Sequence, residues 1–136
     1  MHQIHPDTSL VPMLKRIVAG GVNYHLFTNN ITVDRDTVLG DFVEPVPGSA
    51  YSPITVDDAD FALTGVATHR GSIIAPMIEF VPIGDYGESI YGYYATDSTD
   101  TDLLACANFD DAPIPWATGS SVPVLPIFGD TSRFAS

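Results

Sequence analysis

From Val22 to the C-terminus, short apolar runs are broken by Gly, Pro, Asn or Asp about every ten residues, and eleven glycines and eleven prolines are spread over 136 positions. A helix needs ten or more uninterrupted residues with apolar positions three and four apart, and no such stretch follows residue 21. Short strands joined by tight turns satisfy the same punctuation. The pattern therefore predicts an all-β chain, an antiparallel β-sandwich of jelly-roll type.

One short helix is expected ahead of it. Leu10, Met13, Leu14 and Ile17 recur at helical spacing, Pro12 suits a first-turn position, and Gly20-Gly21 supply a stop, which places the helix near Met13 to Ala19. Residues 1–12 carry Pro6 and Pro12 with no period and read as an extended arm. Two parts follow: an arm with a short helix over 1–21, and a β-sandwich over 22–136. A chain of this length buries roughly 68% of its unfolded surface, enough for one core. Cys106 is the single cysteine, so no intrachain disulfide contributes.

Within the β part, Val22, Tyr24, Leu26 and Thr28 are expected on one face of the first strand, with Asn23, His25 and Phe27 on the other, half-wet face. Further strands are expected at Tyr51 to Val56, Phe61 to Ala67 and Ser72 to Pro82. Pro76 and Pro82 mark the last as an edge region. Ser89 to Thr96 and Leu103 to Phe109 form a hairpin across Asp97-Ser98-Thr99-Asp100, and Val122 to Phe128 is a last, peripheral strand.

Seventeen acidic against five basic residues leave a formal charge of −12, which repels nucleic-acid phosphates and anionic lipid. Neither nucleic acid nor membrane is an expected partner, and no apolar run is long enough to span a bilayer as a helix. A hydrophobic content of 45% in so acidic a chain points to apolar surface buried between subunits as well as within one. A homodimer or homotrimer is expected.

The residues that could carry chemistry have simpler roles. Asp97, Asp100 and Asp102 are clustered carboxylates of the kind hard cations use, yet they lack the glycine and distal glutamate of a calcium loop and read as a solvated turn. His2, His5, His25 and His69 show no zinc-hydrolase spacing. Cys106 between alanines reads as a small buried hydrophobe. No nucleophile elbow or phosphate-binding loop is present. Tyr86, Tyr91, Tyr93, Tyr94 and Trp116 could stack on a sugar, but alternation along a strand assigns them to packing. No catalytic residue, metal or cofactor is expected.

Tyr24-His25-Leu26-Phe27-Thr28-Asn29-Asn30-Ile31-Thr32, followed by Leu39-Gly40-Asp41-Phe42-Val43-Glu44-Pro45, resembles a pattern in small virion proteins of tailed bacteriophages. Val33 stands where such sequences often have proline. The resemblance implies a non-enzymatic capsid cement or decoration protein on the outside of the major capsid protein shell, assembled in the host cytoplasm. On that reading Ile4, Leu10, Val11 and Pro12 of the arm are the candidate contacts to the shell or a neighbouring subunit. The alternative it leaves open is a tail-fibre or receptor-binding module that contacts host glycans.

Overall fold

The computed structural model describes residues 15–45, 51–64, 72–82 and 87–129. The strands are β1 (Val22–Phe27), β2 (Ile54–Val56), β3 (Ala62–Thr64), β4 (Ser72–Ile74), β5 (Ile78–Phe80), β6 (Ser89–Ile90), β7 (Gly92–Asp97), β8 (Leu103–Asn108), β9 (Ile114–Pro115), β10 (Val122–Val124) and β11 (Ile127–Gly129). All their pairings are antiparallel. The described part of the N-terminal helix is a single turn over 15–17. It ends where the sequence supplies a stop, because Gly20 and Gly21 take φ of +82° and +99°, conformations that a Cβ disfavours. Val18, just past that turn, is fully buried and fixes the opening segment to the core.

The largest sheet has the order β2-β1-β7-β8. Its two central strands pair along their full length, from Val22 opposite Asp97 to Phe27 opposite Gly92. The β7–β8 hairpin forms across the expected turn, but Ser89 to Thr96 is not one strand: Ser89–Ile90 is β6, paired with β9, and the hairpin arm begins at Gly92. The hairpin carries a bulge between Ala95 and Thr96, where Leu104 is the extra residue on β8.

The remaining pairs nest inside one another. β4 pairs with β11, β5 with β10, β6 with β9, and β7 with β8. Single backbone bonds carry the ribbon across the gaps: Ala75 N–H donates to the Pro126 carbonyl (3.0 Å), Trp116 to Glu88 (2.9 Å) and Phe109 to Tyr91 (3.0 Å). The two arms are thus one antiparallel ribbon, running from Ser72 and Gly129 to the hairpin tip. Its outer edges are taken by β3, which pairs with β4, and by β1, which pairs with β7.

Two further strand expectations change. Ser72 to Pro82 is two strands rather than one, since the register moves from Ile74 opposite Ile127 to Ile78 opposite Val124, with an extra residue on the β4–β5 side next to Pro76. Val122 to Phe128 likewise divides, and it is not peripheral. Val122, Val124 and Phe128 belong to a core cluster with Val22, Tyr24, Leu26, Phe61, Ile73, Phe80, Ile90 and Trp116. Of the prolines in this stretch, Pro123, opposite Glu79, is exposed between two buried valines, while Pro126 is itself fully buried.

Candidate functional site

The second face of β1 is the unusual one. Asn23, His25 and Phe27 stand opposite Thr96, Tyr94 and Gly92 of β7. A half-wet face was expected, yet His25 is only 4% exposed and Phe27 and Thr96 are fully buried. The cover is the segment around Phe42 and Glu44. Asn29 holds it there as a backbone peptide would, its side-chain amide donating to the Asp41 carbonyl (2.7 Å) and accepting from Val43 N–H (3.0 Å). Thr28 N–H adds a bond to the Val43 carbonyl at 2.7 Å. Asn108 on β8 does the same for the start of this loop, donating to the Ile31 carbonyl (2.7 Å) and accepting from Val33 N–H (2.9 Å).

Under this cover four rings pack in sequence. Phe42 lies on Tyr94 (4.2 Å between centroids, 8° between planes), Tyr94 on His25 (4.6 Å, 5°), and Phe27 tilts against Phe42 at 5.0 Å. Phe27 fits only because residue 92 is glycine: a Cβ there would sit 2.5 Å from the Phe27 ring and 2.1 Å from the Ala107 carbonyl oxygen.

His25 then meets polar partners at both ring nitrogens. Nδ1 lies 3.1 Å from Glu44 Oε2, and Nε2 lies 3.1 Å from both Asp100 Oδ1 and Thr96 Oγ1. A carboxylate oxygen only accepts, so the ring serves both carboxylates only with a proton on each nitrogen. Glu44 Oε2 also accepts from the Tyr51 hydroxyl at 2.5 Å, and that hydroxyl accepts from Leu26 N–H at 3.1 Å. Asp100 Oδ1 further accepts from Thr96 Oγ1 (2.6 Å) and Asn23 Nδ2 (2.9 Å).

These contacts set the ionisation of the neighbours. Burial alone would raise Glu44, but hydrogen bonds from His25 and Tyr51, the nearby imidazole charge and a further bond from Tyr94 outweigh it and hold the carboxyl below its ordinary range. Asp100 is held low chiefly by the Thr96 and Asn23 hydrogen bonds, with His25 adding to them. Burial pushes the Tyr51 and Tyr94 phenols up, and the Glu44 carboxylate pushes them further. A cavity of about 210 Å³ opens beside the group, lined by His25, Leu39, Glu44, Tyr94, Thr96 and Asp100.

Glu44, His25 and Thr96 fall in the order carboxylate, imidazole, hydroxyl that nucleophilic catalysis uses. Their proton directions differ from it. The Thr96 hydroxyl gives its hydrogen to Asp100 at 2.6 Å instead of offering it to His25, and Thr96 is fully buried. The arrangement fastens the Glu44 segment and the hairpin tip to β1.

The other singled-out residues have separate roles. Asp97 Oδ1 accepts from Thr101 and Asp102 N–H (2.7 and 3.0 Å) and so closes the hairpin turn, while Asp100 turns away to His25. Asp34, Asp36 and Asp41 line an open 390 Å³ depression, but the Asp34 and Asp41 carboxylates cap their own turns through Asp36 and Val38 N–H. Cys106 is half-buried rather than buried, and desolvation, then the Asp34 charge, raises its thiol. Tyr93 packs on Tyr24 and Phe109, and Trp116 meets Tyr51 edge-on. His2, His5, His69, Tyr86 and the candidate contacts Ile4, Leu10, Val11 and Pro12 lie outside the described residues.

Sequence reading placed His25 on a strand but missed its partners. Glu44 and Asn29 were visible within the two quoted runs, and a strand histidine with a carboxylate nearby in sequence was the available signal. Asp100 and Thr96 reach it only through the β1·β7 pairing. Among the described residues no helix is long and apolar enough to cross a membrane. Comparison with protein-family models, with curated proteins and with solved structures finds no match.

Proposed function

We propose that this chain is a non-enzymatic structural protein of a tailed-bacteriophage particle, a capsid cement or decoration protein. It docks as a homodimer or homotrimer on the outer surface of the major capsid protein shell and stabilises the expanded head. The observation that carries the reading is the nested ribbon from β4 to β11. A folded antiparallel ribbon of eight strands is how a jelly roll is wound, the architecture of many viral capsid domains. The finer fold assignment is accordingly a jelly-roll sandwich, modified in that β1 and β3 take the outer edges of β7 and β4.

Surface features support docking. Met77, Val81 and Leu125 are large, exposed and apolar, and they lie on the outward side of the β5·β10 pair with Glu79 and Pro123. The rest of the surface is acidic enough to keep the free chain soluble and to favour a neutral or basic partner face. A protein that binds only the expanded shell stabilises it by mass action. The glycan-binding alternative draws less support, since both faces of Tyr94 are covered by His25 and Phe42, and Tyr93 and Trp116 pack in or against the core.

Co-sedimentation with stripped, expanded capsids tests the proposal. The wild-type chain is expected to pellet saturably with them. Deleting residues 2–11, or replacing Met77 and Val81 by serine, should weaken pelleting while leaving the circular dichroism unchanged. A folded wild-type chain that stays in the supernatant at all concentrations would overturn it.

A further inference from the structure

We propose that His25 is a proton-operated latch that ties the β7–β8 hairpin tip to the β1 face. Among the described residues, the titratable groups in contact with the ring are Glu44 from the covering loop, with Tyr51 behind it, Tyr94 on β7 and Asp100 at the tip; Asp97 lies farther along β7, and Cys106 stands on β8 opposite Tyr94. Asn23 and Thr96 are the neutral partners.

With both nitrogens protonated, the ring donates to Glu44 through Nδ1 and to Asp100 and Thr96 through Nε2. When one proton leaves to solvent, Glu44 retains the Nδ1–H, because that side of the ring is more enclosed: the Glu44 side chain is 37% exposed against 55% for Asp100. Nε2 then presents a lone pair to Asp100 Oδ1, and the two acceptors repel at 3.1 Å. The Thr96 hydroxyl can relieve Nε2 only by turning its hydrogen from Asp100 to the ring. Asp100 thereby loses two of its donors and keeps Asn23.

The tip is built to respond. Asp100 is the one non-glycine among the described residues with positive φ, at 55°, a conformation that aspartate tolerates when its side chain is held. The bonds that close the turn run from Thr101 and Asp102 N–H to Asp97, and the Asp100 contact with His25 anchors that turn to β1. What the proton controls is this anchoring, and a turn released from β1 opens more often.

The test follows the His25 ring by NMR across its own titration, alongside hydrogen exchange at Ser98 to Asp102 corrected for the intrinsic effect of pH. Protection at the tip should fall about tenfold as the ring loses its proton, the value of one charge-assisted hydrogen bond. Tyr24 in mid-sheet should not change. In Asp100→Asn the ring should still titrate while the tip no longer responds, and in His25→Gln the response should vanish. Tip protection that ignores the ring's ionisation, or that changes equally in Asp100→Asn, would overturn the latch. So would a ring that keeps both protons until the whole protein unfolds.

Discussion

Gly92 shows at residue scale how one missing side chain permits a site. The Phe27 ring occupies the space a Cβ would need, and Phe27 supports the Phe42, Tyr94 and His25 stack. Gly92→Ala should destabilise the fold by about 3 kcal/mol, the upper range for overpacking, read as a lower urea midpoint. The carboxylates on His25 predict an acid response. Glu44 and Asp100 titrate lower in the folded chain than their ordinary values, so their stabilisation is complete above the ordinary carboxylate range and is lost as pH falls through the lowered native values. Urea midpoints between about pH 6 and pH 3 should fall steeply for wild type, and less steeply for Glu44→Gln, which no longer titrates at that position. Trp116 adds a packing test. Its Nε1 is buried with no partner among the described residues, so Trp116→Phe should cost far less than the roughly 3 to 5 kcal/mol of Trp116→Ala.

At the scale of elements, two asparagines organise the covering loop. Asn29→Ala removes a donor and an acceptor that together replace a strand partner, and a loss of about 2 kcal/mol is expected, with faster hydrogen exchange at Val43. This explains physically why the Thr-Asn-Asn run and the Asp-Phe-Val-Glu run occur together: one fastens the other. Local signals made β1, the β7–β8 hairpin and the helix stop legible, because alternation, turn residues and paired glycines act over a few positions. The division of Ser72 to Pro82 and of Val122 to Phe128 was not legible. Each half is set by the strand it faces some 50 residues away, and a proline that looks like a terminator from sequence sits harmlessly where a strand faces outward. Val124→Ala should accordingly cost about 2 kcal/mol, whereas Met77→Ser on the exposed side should fall within about 0.5 kcal/mol of wild type.

For the whole molecule, the nested ribbon, the acidic surface and the exposed apolar residues of the β5·β10 pair together support a protein that completes its burial on a partner. On the proposed reading, a homodimer or homotrimer is expected by light scattering, and a monomer at high concentration would count against that part. The charge and the all-β character were readable from composition and punctuation. The His25 site was not, since it joins residues from positions 23 to 100 through strand pairing. The proposed role as a shell-coating component of a phage particle is checked by counting copies of the chain in phage particles purified from cultures that express it, by quantitative mass spectrometry against the major capsid protein. A count in the hundreds per particle, in fixed ratio to that protein, is predicted; a few to a few dozen copies, or none, would contradict it.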